Sequence, residues 1–187
     1  MGGEAGDSII HWHGDVPRST GTPLAYYGLS WHLNLKDCVG ERRVVRIVEG
    51  QGVKIRVRVG TSRIAGQGLF AAQDIKKGTS IVEYTGAKIS KAESQRQLAQ
   101  GNAYIFEFNE RYDIDGAALS NLARYINHSC DPNCRVERTT RTLWIVALRH
   151  IKAGEELSYN YGYDAKKYTC QCGARNCCGY ILDPDYW

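Results

Sequence analysis

Two groups of residues in this chain are of types and at spacings that could do chemistry. The first is Cys170-Gln171-Cys172-Gly173-Ala174-Arg175-Asn176-Cys177, three thiols within eight residues. Soft thiolates so spaced favour tetrahedral zinc, which takes four ligands, so one more has to come from elsewhere. The second group, Asn127-His128-Ser129-Cys130-Asp131-Pro132-Asn133-Cys134, offers the nearest candidates in Cys130 and Cys134. A metal shared between the two groups would close an active site. Seven cysteines, an odd number, and no hydrophobic secretory leader argue against a disulfide framework and for a reducing compartment. Cys38 and Cys178 read as ordinary buried thiols, which behave as small hydrophobes. Taken alone, His128 would be a satisfied structural histidine and Asp131-Pro132-Asn133 a turn.

The elements that must position these groups are mostly strands. Short β-rich segments alternate with glycine-containing turns at 44–48, 53–59, 68–71, 80–84, 104–108, 143–147 and 156–159. One helix is expected from the capping box of Ser90 and Glu93 to just before Gly101, and a second short one over 117–125. Residues 1–50 read largely as an irregular extension with turn signals at Gly14, Pro17, Gly21 and Pro23. A chain of 187 residues can bury one good core. Its longest apolar runs, such as Trp144 to Leu148, fall far short of the roughly 20 residues of a membrane-spanning helix, so no membrane insertion is expected.

Charge is unevenly spread. Between Arg42 and Arg63 there are seven basic residues against Glu49 alone, whereas residues 100–187 hold ten basic and eleven acidic side chains. Inside the basic stretch Val53-Lys54-Ile55-Arg56-Val57-Arg58-Val59 alternates strictly, which puts three cations on one face of a strand and four aliphatics on the other. A solvated strand face is the commoner meaning of that pattern. Contact with nucleic-acid phosphates over 42–63 is the functional one.

Gly66-Gln67-Gly68-Leu69-Phe70, Glu83-Tyr84-Thr85-Gly86, Tyr104-Ile105-Phe106, Arg124-Tyr125-Ile126 running into the Asn-His group, Gly154-Glu155-Glu156-Leu157-Ser158-Tyr159-Asn160-Tyr161 and the final cysteines follow one another in a telling order. From about Val53 to Leu182 the chain resembles a SET-domain protein lysine methyltransferase with a post-SET zinc module. The resemblance implies a mostly β SET-domain fold of small antiparallel sheets, with few short helices and a threaded, pseudoknot-like C-terminal segment. It divides the chain into an N-terminal extension or pre-SET-like segment (1–50), a SET domain (51–165) and a post-SET zinc-binding segment (166–187). It implies that S-adenosyl-L-methionine is bound by Ala65, Gly66, Gln67, Gly68, Tyr104, Arg124, Asn127, His128, Tyr161 and Gln171, and zinc by Cys130, Cys170, Cys172 and Cys177. Tyr180-Ile181-Leu182 would give apolar cover to the adenine and to the target lysine.

By the same resemblance Tyr104, Tyr159 and Tyr161 line a lysine channel, with Tyr161 the catalytic hydroxyl. Free lysine titrates near 10.4, so the site must favour the neutral amine, and desolvation and the cofactor's positive charge both push that way. Tyr159 stands where relatives carry Tyr or Phe, which implies mono- or dimethylation over trimethylation. The expected substrate is a basic histone tail, with Glu107, Glu110 and Asp113 as candidate contacts, and a non-histone protein is the alternative. Gln67 and Tyr125 depart from the family's usual basic residue and Phe. With Cys38 alone upstream, the subfamily that relies on a preceding cysteine-rich module is not expected. Rival classes are a catalytically silent SET module that binds protein or nucleic acid, against which Tyr104, Asn127 and Tyr161 argue, a zinc-dependent nucleic-acid binder, and a redox protein with accessible low-pKa thiols. A reducing interior is expected: the nucleus for a eukaryotic protein or a secreted effector, otherwise the cytoplasm.

Overall fold

The strictly alternating stretch becomes the long strand β2 (Val53–Thr61), which pairs antiparallel with β1 (Val45–Gly50) on one side and β3 (Gln67–Ala71) on the other. The protein is described as a computed structural model over residues 45–187, so the expected extension up to Val44, with Cys38, lies outside the described residues. Ile55 and Val57 turn inward and are buried while Lys54 and Arg56 face out. Val53 departs from the expected alternation. It follows a tight turn with Gln51 and Gly52 at positive φ and is exposed instead of packed.

Further along come β4 (Ser80–Glu83), β5 (Ala87–Ser90), the helix α1 (Lys91–Ala99), β6 (Ile105–Glu107), β7 (Tyr112–Asp115), β8 (Asn127–His128), β9 (Cys134–Arg138), β10 (Leu143–Ala147) and β11 (Ser158–Tyr159). They form two antiparallel sheets in the orders β4-β10-β9 and β5-β7-β6, and one parallel pair, β8-β11. The inward faces supply one core in which Val57, Leu69, Ile75, Ile81, Ile126, Leu143, Ile145, Ile151 and Leu157 are all but inaccessible. Each such side chain contributes about 1.5–3 kcal/mol relative to exposure.

The helix begins where the capping pattern predicts, because the Ser90 side chain accepts the Glu93 N–H at 3.2 Å. The reciprocal half of the box is not made. Glu93 turns instead to Arg96 and Gln97 on its own helix. The second predicted helix shrinks to a single 3-10 turn, Leu122–Tyr125. Asn121 is the physical reason: its side chain donates to Gly116 O at 3.0 Å and accepts the Thr85 N–H at 3.3 Å, tying the loop to the end of β4 in place of helical bonding. Among the described residues no helix is long and apolar enough to cross a membrane.

Candidate active site

The two-residue parallel pair sets Asn127 opposite Ser158 and His128 opposite Tyr159, so the Asn-His segment lies beside the Ser-Tyr-Asn-Tyr segment. From there the Asn127 carboxamide reaches the Gly-Gln-Gly loop. Its Nδ2 donates to Ala65 O at 3.2 Å, Gln67 O at 3.1 Å, Ser62 Oγ at 3.1 Å and Glu156 Oε1 at 2.8 Å. Four acceptors share two N–H groups, so acceptor capacity is in surplus. Ser62 passes its own hydroxyl to Glu156 at 2.7 Å and takes the Ile64 N–H at 2.9 Å. The loop's two glycines are needed for different reasons. Gly66 sits at φ +46° beside open space, whereas a Cβ on Gly68 would lie 2.4 Å from Glu156 Oε1.

Aromatic rings run outward from this point in an unbroken series. Successive centroids lie 5.0 Å apart for Tyr84 and Phe106, 6.1 Å for Phe106 and Tyr159, 5.0 Å for Tyr159 and Tyr161, 6.0 Å for Tyr161 and Tyr163, and 5.7 Å for Tyr163 and Tyr168. Tyr161 is fixed at both ends: its N–H donates to His128 Nδ1 at 3.2 Å and its hydroxyl to Ile126 O at 3.0 Å. Burial pushes the phenols of Tyr84, Tyr159 and Tyr161 well above their usual range, so at neutral pH they are neutral hydroxyls. Tyr104 is more exposed. Its ring carries the Arg124 guanidinium 3.9 Å away, and its carbonyl accepts the Tyr84 hydroxyl at 2.9 Å. Arg124 also donates from Nη1 to Ala117 O, and its buried Nε has no hydrogen-bond partner among the described residues.

Cys130, Cys170, Cys172 and Cys177 gather with all four sulfurs within 4.8 Å of one another. Cys130 Sγ is 3.8 Å from Cys170 Sγ and 3.7 Å from Cys177 Sγ, far beyond the roughly 2.05 Å of a disulfide. Burial drives the Cys130 thiol far up and Cys170 up to about 11. Burial also raises Cys172, but N–H groups of Cys130 and Ala174 and the neighbouring thiols outweigh it and bring it down to about 7. Of the two candidates for the fourth position, Cys130 is the one that joins. Cys134 is buried on β9, where its thiol, pushed up to about 12 by burial, donates to Asn133 Oδ1 at 3.4 Å. Cys178 donates to Tyr180 O at 3.4 Å and stays outside the cluster, and it is partly exposed where a buried thiol was expected.

The geometry agrees with what the chain is similar to. Residues 66–162, just over half of the chain, match the SET domain family. The chain belongs to the SET domain family. It is 42% identical over 135 residues to "Histone-lysine N-methyltransferase trr" of Drosophila melanogaster, covering 65% of this chain and 6% of that protein. It is 39% identical over 137 residues to "Histone-lysine N-methyltransferase 2D" of Homo sapiens, 66% of this chain and 2% of that protein. With "Histone-lysine N-methyltransferase, H3 lysine-4 specific" of Schizosaccharomyces pombe the identity is 38% over 141 residues, 68% of this chain and 15% of that protein. The chain therefore spans only a small part of these relatives. Among solved structures, a chain of a humanized mutant of the Chaetomium thermophilum Polycomb Repressive Complex 2 superposes with a TM-score of 0.54 at 38% identity, covering 59% of this chain and 16% of that one.

Within this SET domain many of the expected residues come together, while Tyr104 and Arg124 stack on one another. Ala65, Gln67 and Asn127 meet directly, with Gly66 and Gly68 shaping the loop, and Tyr159 and Tyr161 adjoin them through the parallel pair. His128 is buried with both ring nitrogens engaged, Nδ1 by the Tyr161 N–H and Nε2 by Cys130 Sγ at 3.5 Å, and desolvation lowers it to about 4. Its ring therefore links Tyr161 to the cysteine cluster. Gln171 is exposed at the rim of that cluster. Two of the expected substrate contacts are engaged internally: Lys91 pairs with Glu107 at 3.3 Å and with buried Asp113 at 2.7 Å, which leaves Glu110. Ser62, Glu156, Phe106 and Tyr163 were missed. Ser62 four residues before Gly66, and an acid beside Tyr159 and Tyr161, were the available signals.

Proposed function

We propose that this SET domain carries methyl groups from S-adenosyl-L-methionine to the ε-amine of a lysine in a histone tail, adding one or two, and that zinc joins Cys130 to Cys170, Cys172 and Cys177. The observation that carries the reading is the series of rings that passes through Tyr159 and Tyr161, with the Tyr161 N–H and hydroxyl tied to His128 and Ile126 on either side of Asn127. The zinc assignment rests on the donor set. A tetrahedron with Zn–S of about 2.3 Å has edges near 3.8 Å, and Cys130 Sγ stands 3.8 and 3.7 Å from two partners. On this reading residues 51–165 are the catalytic body and 166–187 a metal-held tail, and the protein works in the nucleus on chromatin.

The residues present fit the cofactor. Surplus acceptors around Asn127 suit an ammonium group, Gly66 leaves room for close approach, and Arg124 keeps an unpartnered donor. When bound, S-adenosylmethionine supplies a methyl on a positively charged sulfur. The incoming lysine gives up its proton to solvent, helped by rings that exclude water and by the cofactor's charge. The neutral amine's lone pair would accept that methyl, with the S–C bonding electrons left on sulfur. Tyr161 stays protonated throughout, since burial raises its pKa, and so it orients the amine and does not act as the base.

The test is transfer of labelled methyl from S-adenosylmethionine to core histones. Tyr161→Phe keeps the ring and deletes the hydroxyl, and is expected to cut kcat by about 100-fold or more with cofactor affinity retained. Equal labelling by wild type and Tyr161→Phe would refute the reading. Cofactor binding by calorimetry without histone labelling would move the substrate to a non-histone protein.

A further inference from the structure

We propose that the outer face of the β1-β2-β3 sheet is a docking surface for the phosphate backbone of duplex DNA. The register places Arg58 beside Val45, Arg56 beside Ile47 and Lys54 beside Glu49, all on the face turned away from the core. Among the described residues no ion pair engages Arg46, Lys54, Arg56, Arg58 or Arg63. Elsewhere in the described residues Lys91, Arg96, Arg135, Arg149 and Lys152 each pair with a carboxylate.

How the two central arginines are held is the deciding observation. Arg56 Nε donates to Gln73 Oε1 at 3.1 Å, and the Arg58 guanidinium lies 4.4 Å over the Phe70 ring. Both partners are uncharged, so the guanidiniums are given fixed positions while their charge is left for another molecule. Such an arrangement lowers the ordering cost on binding an anion. The shape suits a linear polyanion. Alternate residues on a strand recur at about 6.8 Å, so Lys54, Arg56 and Arg58 form a row of cations to which a row of backbone phosphates is complementary. The choice of DNA over RNA rests on the histone-tail reading, since a nucleosomal tail emerges beside DNA.

Anisotropy of a labelled DNA duplex with the full 187-residue chain tests this without passing through methyl transfer, so failure here and failure of the methyltransferase reading are separable. Three phosphate contacts predict that log K falls with log salt with a slope of about −2.7. Lys54→Ala/Arg56→Ala/Arg58→Ala is expected to flatten that slope and weaken binding by tenfold or more at 0.1 M salt, with turnover of a free histone-tail peptide unchanged. Arg56→Lys/Arg58→Lys, which keeps the charge, is expected to hold the slope and decides the matter where the alanine variant loses its fold. An unchanged slope in the alanine variant, loss of the slope in the lysine variant, equal competition by poly-glutamate, or tighter binding to duplex RNA would each overturn the proposal.

Discussion

The sheet-built body and the C-terminal tail of this SET domain are held by different forces. From Ile55 to Tyr159 the chain is pinned by apolar side chains from three sheets, with Leu69, Ile145 and Leu157 inaccessible. Beyond Tyr163 the one deeply buried apolar side chain among the described residues is Leu182. The tail has no strand longer than a single bridge, Thr169 to Tyr180, and a few cross-links such as Cys170 N–H to Gly179 O at 2.9 Å and Asp183 N–H to Tyr163 O at 2.8 Å. Burial of that extent cannot offset the entropy of ordering some twenty residues at about 1–2 kcal/mol each. On the proposed zinc reading the tail takes its order from a metal held by the four cysteines, with Cys130, on the body, as the point of attachment.

Metal removal should therefore break the two regions apart, and it carries the largest expected effect. Chelation, or Cys172→Ser, is expected to abolish methyl transfer and to accelerate hydrogen exchange by orders of magnitude at residues 166–182, while Leu143–Ala147 stays protected. Uniform deprotection of both regions would show that body and tail are one folding unit. Protection of the tail after complete chelation would show that its polypeptide contacts suffice. The converse comes from the core. Ile145→Ala leaves a cavity among packed side chains and should cost about 2–5 kcal/mol in denaturant unfolding, while zinc content per folded chain stays near one. A variant that keeps its stability but loses zinc would reverse the order of dependence.

The same division governs what could be read from the sequence. The strand at 53–59 was legible because its alternation follows from one buried face, and that at 143–147 because a short apolar run fits a strand buried on both faces. β7 was not, because Asp113 occupies an inward position and is neutralised by Lys91 from the start of α1, a pairing that no local pattern reveals. β11 falls inside the segment 156–159 expected as a strand, whereas β8 is two residues long and was not legible, because it exists only through its parallel pairing with β11. At the site, spacing alone left Cys130 and Cys134 both open, the resemblance pointed to Cys130, and the structure brings Cys130 to the other three sulfurs. His128 shows the limit of motif reading. The motif places it beside Asn127, and no local pattern reveals that its ring bridges Tyr161 and Cys130.

The smallest expected effect sharpens the comparison from inside the body, where a single oxygen is at issue. Tyr159 is buried and packed between Phe106 and Tyr161. Burial holds its phenol protonated, so its hydroxyl is a neutral group occupying space within the ring series. Replacing it by Phe deletes that oxygen and leaves the ring contacts, so stability should change by no more than about 1 kcal/mol. The total methylation rate should move less than tenfold, while mass spectrometry of the peptide product shifts toward higher methylation, because a methylated amine gains the volume the hydroxyl held. Unchanged product states would mean that the space for further methyls is set elsewhere, with Phe106 and Tyr163, on either side of the Tyr159–Tyr161 pair, the next residues to vary.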